Sequence, residues 1–343
     1  MSYVNRPLNR QDYKTLTLAA LGGALEFYDF IIFVFFAAVV GELFFPADIP
    51  EWLRQVQTFG IFAAGYLARP LGGIIMAHFG DLVGRKKMFT LSILLMALPT
   101  LAIGLLPTYS SVGIIAPLLL LLMRILQGAA IGGEVPGAWV FVAEHVPEKR
   151  IGIACGTLTA GLTVGILLGS VVATLINTSL TPQGIHDGGW RIPFLLGGVF
   201  GLIAMYLRRW LQETPIFLEM QQRKALAQEL PVKAVALKHQ KAVVISMLLT
   251  WLLSAGVVGA VPYVMVRAFP AEVRFTGISF SYNLSYAIFG GLTPIAVTML
   301  MGVSPMAPAW YVLALSLMGL GLGIWLRQEL TAPTGMPEGE LQR

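Results

Sequence analysis

Charge is scarce in this chain. Only 12% of its 343 residues are Asp, Glu, Lys or Arg, against about a quarter in soluble domains. That deficit excludes a water-facing surface over most of the molecule. Cysteine is nearly absent too: Cys155 stands alone, so no internal disulfide can form. The four histidines, His78, His145, His186 and His239, are scattered and make no ligand pair. No nucleophile–base pair, metal cluster or phosphate-cradling loop is visible, which argues against an enzyme and against any bound cofactor. The net charge of +5 could suggest nucleic acid, but the basic residues fall in alternate connections between apolar runs, a membrane pattern.

What fills the chain is apolar. Hydrophobic residues make up 56% of it and mean hydropathy is +0.75. A hydrocarbon core needs about 20 apolar residues per helical crossing. Nine stretches meet that need: Leu16–Val40, Val56–His78, Met88–Leu106, Val112–Val142, Ile151–Ile176, Trp190–Leu211, Ala242–Val266, Thr276–Met301 and Ala309–Leu326. They are continuous rather than alternating, so helices and not a barrel are expected. The fold class is an all-α polytopic membrane bundle in a lipid bilayer. Its parts are a six-span bundle over residues 1–211, a connecting segment over 212–241, an incomplete second bundle over 242–326, and a tail over 327–343. The first run carries Glu26 and Asp29 and lacks a clear cleavage site, so it reads as a retained span and not a signal peptide. Gly41–Gln55, with Pro46 and Pro50, reads as a polar connection, and Gln212–Lys241 as a basic, amphipathic one.

With the N-terminus inside, the inner segments of the first six spans and the long connection carry fifteen Lys and Arg, against Arg54 and Arg191 outside. The positive-inside rule therefore puts the N-terminus in the cytoplasm. The rule fails later. Parity makes Arg267–Arg274 an outer loop, yet it holds two arginines. It also repeats an earlier inner loop: Val146–Ile153 and Phe269–Ile278 share the order Pro, Glu, Arg, Gly, Ile. Such internal repeats mark transporters made of two parallel halves. Six spans should separate the copies by on the order of 200 residues. Gly152 and Gly277 are 125 apart, so roughly 75 residues, about three spans, are missing. The simplest expectation is an internal deletion near Ser254–Val261, which leaves about nine spans.

Three constellations carry chemistry. Glu26 and Asp29 sit three residues apart in the first span, close to one helix face. Carboxylates at mid-membrane need a polar cavity or a proton, so the pair reads either as a proton-coupling or cation site, or as groups orienting the helix at a cavity mouth. Arg124, Gln127, Ile131 and Glu134 fall in a stripe about 80° wide. A buried Arg124 must meet an anion: a substrate carboxylate, Glu26, Asp29 or Glu134. The loop Gly80-Asp81-Leu82-Val83-Gly84-Arg85-Lys86-Lys87 is either a topology-holding inner loop or a gate. In the second case Asp81 would bind amides at a neighbouring helix N-terminus in one conformation and release them in another. Gly161, Gly165 and Gly169 suggest close helix packing. Arg69-Pro70 either lines the cavity or kinks its helix, and Glu144 and His145 fall at the inner interface.

These residues resemble a known family. The loop around Gly80-Asp81 and Gly84-Arg85-Lys86 resembles the signature between spans 2 and 3 of the major facilitator superfamily. Leu25-Glu26-Phe27-Tyr28-Asp29-Phe30, Arg124-Ile125-Leu126-Gln127-Gly128, Gly132-Gly133-Glu134 and Arg274-Phe275-Thr276-Gly277 resemble its metabolite:proton symporter branch. The resemblance runs from Leu16 to Leu326. It implies two six-helix bundles rocking about a midplane site, and a location in the bacterial inner membrane. It also implies proton-driven uptake of a small organic metabolite, either an acid such as 2-oxoglutarate, citrate or shikimate, or a zwitterion such as proline or betaine. Glu26 and Asp29 would be proton-linked, Arg124 the anion partner, and Gly80–Lys86 the gate. Ala77 and Leu82 depart from the loop pattern, which has Gly and a basic residue there. The missing spans and the missing second loop depart further and imply impaired transport. A drug-type antiporter is a rival, weakened because span 5 lacks a proline beside its glycines. A non-transporting remnant or a subunit is another.

Overall fold

The computed structural model describes residues 6–223 and 268–301, with isolated positions at 235, 243, 265, 266, 304, 306, 310, 311, 313, 314 and 317. Helices dominate, and no strand occurs among the described residues. The first, α1 (Arg10–Phe35), opens with a capping box. Asn9 accepts from the Asp12 amide at 2.9 Å and Asp12 accepts from the Asn9 amide at 2.8 Å, satisfying two otherwise orphaned donors. Short α2 (Ala37–Phe44) follows. Then come α3 (Glu51–Val83), α4 (Arg85–Leu105), α5 (Ile115–Ile131), α6 (Glu134–His145), α7 (Ile151–Ser179), α8 (Arg191–Arg208) and α9 (Pro215–Gln222). Beyond the connection, α10 (Arg274–Ser285) passes through a wide π turn at Tyr286–Gly291 into α11 (Leu292–Met301).

Six spans among the described residues are long and apolar enough to cross a membrane: α1, α3, α4, α5 with α6, α7 with its lead-in turn, and α8. The expected eighth stretch is present as the α10–π–α11 run. Ala242–Val266 and Ala309–Leu326, and the proposed junction near Ser254–Val261, lie almost wholly outside the described residues. Two expectations on boundaries change. Val112–Val142 is not one helix, because Gly132 and Gly133 separate α5 from α6. Gly41–Gln55 is mostly helical, with only residues 45–50 between α2 and α3; the polar side chains there mislead, since Glu51 and Arg54 pair with each other along the first turn of α3.

Packing sets the site. α1 lies along α7, α4 along α8, and α3 lies between α5 and α10. The α3–α5 crossing is as close as backbones allow. A β-carbon on Gly128 would stand 1.8 Å from the Gly65 carbonyl oxygen, so no larger residue fits without parting the helices. Gly161, Gly165 and Gly169 do face α1, against Ala20, Ala24 and Ile31. Two large buried clusters cap the ends. One, around Trp139, Phe141, Cys155 and Phe275, lies toward the Gly84 turn. The other, around Phe33, Phe62, Trp190 and Phe194, lies toward residues 45–50.

Candidate functional site

Between those clusters α1 turns its carboxylates inward. Glu26 and Asp29 are each 2% exposed, as three-residue spacing on a helix permits, but each has its own arginine. Arg124, from α5, donates to Asp29 Oδ2 at 2.9 Å and to Gln127 Oε1 at 2.6 Å. Gln127 donates in turn to Thr100 at 2.6 Å, and Thr100 reaches Asp29 Oδ1 at 3.4 Å. Asp29, Arg124, Gln127 and Thr100 thus close a ring of polar contacts across α1, α4 and α5. The Arg124 guanidinium also lies 4.3 Å from the Phe33 ring centre. Of the four anions open to Arg124, the fold supplies Asp29.

Glu26 takes Arg69 of α3, Nη1 to Oε1 at 2.9 Å. Arg69 thus points inward from a helix that carries Pro70 in its interior. Glu26 Oε2 and Arg124 Nε are buried without a hydrogen-bond partner among the described residues. Two carboxylate–arginine pairs therefore lie side by side with hydrogen-bonding capacity to spare, an arrangement that can trade partners.

Glu134 does not join them. The α5–α6 break turns it toward Arg208 of α8, with which it pairs while accepting from Ser92 at 2.5 Å. Arg208 also donates to the carbonyls of Phe89 at 2.6 Å and Ala19 at 3.3 Å. The uniform-helix stripe that grouped Glu134 with Arg124 fails because Gly132 and Gly133 interrupt the helix. Nothing in the local pattern singled out Arg208, whose partner lies on another helix.

The loop residues gather where the six-span bundle meets α10. Gly84, with φ +128°, makes the turn between α3 and α4; that left-handed conformation favours glycine. Gly80 is packed against Phe275. Asp81 accepts from the amide and the hydroxyl of Thr276, at 3.2 and 2.8 Å, in the first turn of α10. Arg85 pairs with Asp81 at 3.0 Å and Glu144 at 3.3 Å, and donates to the Ala271 carbonyl at 2.7 Å. Glu144 also meets Arg274 at 3.4 Å and accepts from Thr214 at 2.7 Å. Glu213 accepts from the Lys86 amide at 3.1 Å, capping α4. Glu144 and Glu213 had no motif to mark their part in this cluster.

The broken turn at Gly132 and Gly133 also contacts α10. The Gly132 carbonyl accepts from the Ser279 hydroxyl at 3.0 Å and from the side-chain amide of Asn283.

Comparison with known proteins agrees with this architecture. The family model for sugar (and other) transporters matches residues 15–243. A proline/betaine transporter of Salmonella typhimurium is 38% identical over 234 residues, 66% of this chain and 47% of the relative. The glycine betaine/proline/ectoine/pipecolic acid transporter of Dickeya dadantii is 42% identical over 204 residues, 60% of this chain and 40% of its own. The chain thus spans less than half the length of these curated relatives. Among solved structures, a proton:xylose symporter of the major facilitator superfamily superposes with a TM-score of 0.74 at 13% identity, covering 93% of this chain and 96% of that one. At that identity the likeness speaks for the fold.

Proposed function

The chain belongs to the sugar (and other) transporter family of the major facilitator superfamily, a family of multi-pass membrane transporters and not a class of enzymes, and on that premise we propose that it is built for proton-coupled uptake of a small zwitterionic metabolite. The observation that carries this is the pair of buried ion pairs, Glu26–Arg69 and Asp29–Arg124. A proton on Asp29 cancels its charge and leaves Arg124 buried without an anion, which is costly. A substrate carboxylate restores the balance. Proton and substrate then stabilise each other's bound state, the condition for symport. Gln127 and Thr100 hold Arg124 and Asp29 in register during the exchange. Relatives named for proline and betaine support a zwitterion as cargo.

In this reading the N-terminus and the Gly84 turn face the cytoplasm of a bacterial inner membrane. Gly80, Asp81, Gly84, Arg85 and Lys86 then form a gate, shut while Asp81 caps α10. The test is uptake of labelled glycine betaine into proteoliposomes under an imposed proton gradient. Gradient-dependent uptake, weaker than that of a full-length relative and lost in Asp29→Asn and Arg124→Ala, is expected. Undiminished uptake in both variants would sink the assignment.

One observation favours a second reading. Because the chain spans 40–47% of its relatives, it could be a non-transporting remnant or one part of a two-chain assembly. Under that reading the reconstituted chain gives no gradient-dependent uptake at all.

A further inference from the structure

The Glu26–Arg69 pair is walled by aromatic rings from two parts of the chain. Tyr66 comes from α3, one turn before Arg69. Tyr286 comes from the opposite wall, at the first position of the π turn that interrupts the α10–α11 run. Their rings are nearly parallel, 8° apart in plane and 6.4 Å between centres. The Arg69 guanidinium carbon lies 4.2 Å from the Tyr66 centre and 5.5 Å from that of Tyr286. Tyr282 packs 4.4 Å from Tyr286, and Phe62 and Phe30 stand at 5.0 and 6.2 Å from Tyr66. π turns interrupting a helix occur often at functional sites, and this one begins on a ring of the enclosure.

An aromatic enclosure with a carboxylate beside it holds cations. Ring faces carry partial negative charge, and within about 6 Å of a ring centre the attraction grows as water is excluded. Here the enclosure already holds one, the guanidinium of Arg69, while Glu26 Oε2 accepts no hydrogen bond among the described residues. A quaternary ammonium has no N–H to donate, so ring faces and a nearby carboxylate satisfy it better than hydrogen-bond acceptors do.

We propose that Tyr66, Tyr286 and Glu26 form the seat for the quaternary ammonium end of the substrate, and that Arg69 is its built-in occupant. This rests on the reading of the chain as a carrier of small zwitterions, and it narrows that cargo. When the substrate enters, Arg69 leaves the rings to meet the substrate carboxylate, and the trimethylammonium group takes its place. The seat therefore disfavours multivalent organic acids such as citrate, which offer it no cation and would face Glu26.

The test compares two probes on the purified, unmutated chain by titration calorimetry. Glycine betaine carries the charge; 3,3-dimethylbutanoate has the same shape and carboxylate with carbon in place of nitrogen. Binding of the betaine at least about tenfold tighter than its carbon isostere, whose trimethyl end is uncharged, is expected. Tyr286→Leu should erase that margin and Tyr286→Phe, which keeps the ring, should retain it. Equal affinity for the two probes, or a Tyr286→Leu variant with the margin intact, overturns the seat while leaving the carrier reading in place. If neither glycine betaine nor proline binds the unmutated chain, the carrier reading falls and the seat with it.

Discussion

Arg69, Arg124 and Arg208 are each at most 5% exposed, and each faces a carboxylate. Removing one partner of such a pair costs about 3–5 kcal/mol, because the other charge stays buried and unmatched. Arg208→Ala should therefore lower the unfolding temperature of the detergent-solubilised chain markedly. It should leave the pH dependence of betaine binding unchanged, since Glu134 and Arg208 tie helices of one bundle together. Asp29→Asn should do the reverse in part, removing pH dependence as well as stability. A double variant, Asp29→Asn with Arg124→Gln, should melt higher than the sum of the single effects, because neither group is then a stranded charge. At this scale the sequence was half legible. Glu26, Asp29 and Arg124 stand out because charge in an apolar run is conspicuous. Their pairing does not, since it depends on which helices touch, and no local spacing encodes that. Arg69 is as conspicuous as Arg124, whereas Arg208 falls at the basic end of its span; the roles of both follow only from partners on other helices.

The helices themselves were the easiest part to read, because each crossing demands a long apolar run. Their ends were not, as apolar residues continue through breaks: Ile131 and Val135 flank the Gly132–Gly133 interruption without any change of character. The glycines that matter for packing are equally silent in hydropathy. Gly128→Val should force α3 and α5 apart, since even a β-carbon there would meet the Gly65 carbonyl oxygen at 1.8 Å. Size-exclusion chromatography should then show loss of the monodisperse species. The Asp81 cap on α10 carries a milder prediction. A lost N-terminal cap costs about 1 kcal/mol, so Asp81→Ala should speed amide hydrogen exchange at Thr276 about fivefold to tenfold. Exchange at Thr276 unchanged from that of the unmutated chain would remove Asp81 from its place as a latch. The acidic residue between two glycines suggested such a contact from sequence; its partner, some 195 residues away, could not be named without the fold.

For the whole molecule, two facts pull against each other. The fold superposes on 93% of its length with a proton-coupled symporter, yet the chain spans under half of its curated relatives. Binding asks less of the fold than transport does. Both ion pairs, with Tyr66 of α3 and Tyr286 beyond the connection, are present and touching, whereas rocking between two faces calls on both bundles. The repeat of Val146–Ile153 at Phe269–Ile278 sets the expectation of a shortened second half, whose junction near Ser254–Val261 lies outside the described residues. It could not show that α10 still docks on α3. Coupling between the ion pairs and the substrate can therefore be read without asking the chain to transport. The measurement is the affinity of the solubilised chain for glycine betaine as a function of pH. If a proton on Asp29 frees Arg124 for the substrate carboxylate, affinity tightens as pH falls, and protons are taken up on binding. Asp29→Asn should flatten the dependence. Binding that is indifferent to pH in the unmutated chain would contradict the coupling of these ion pairs to the substrate.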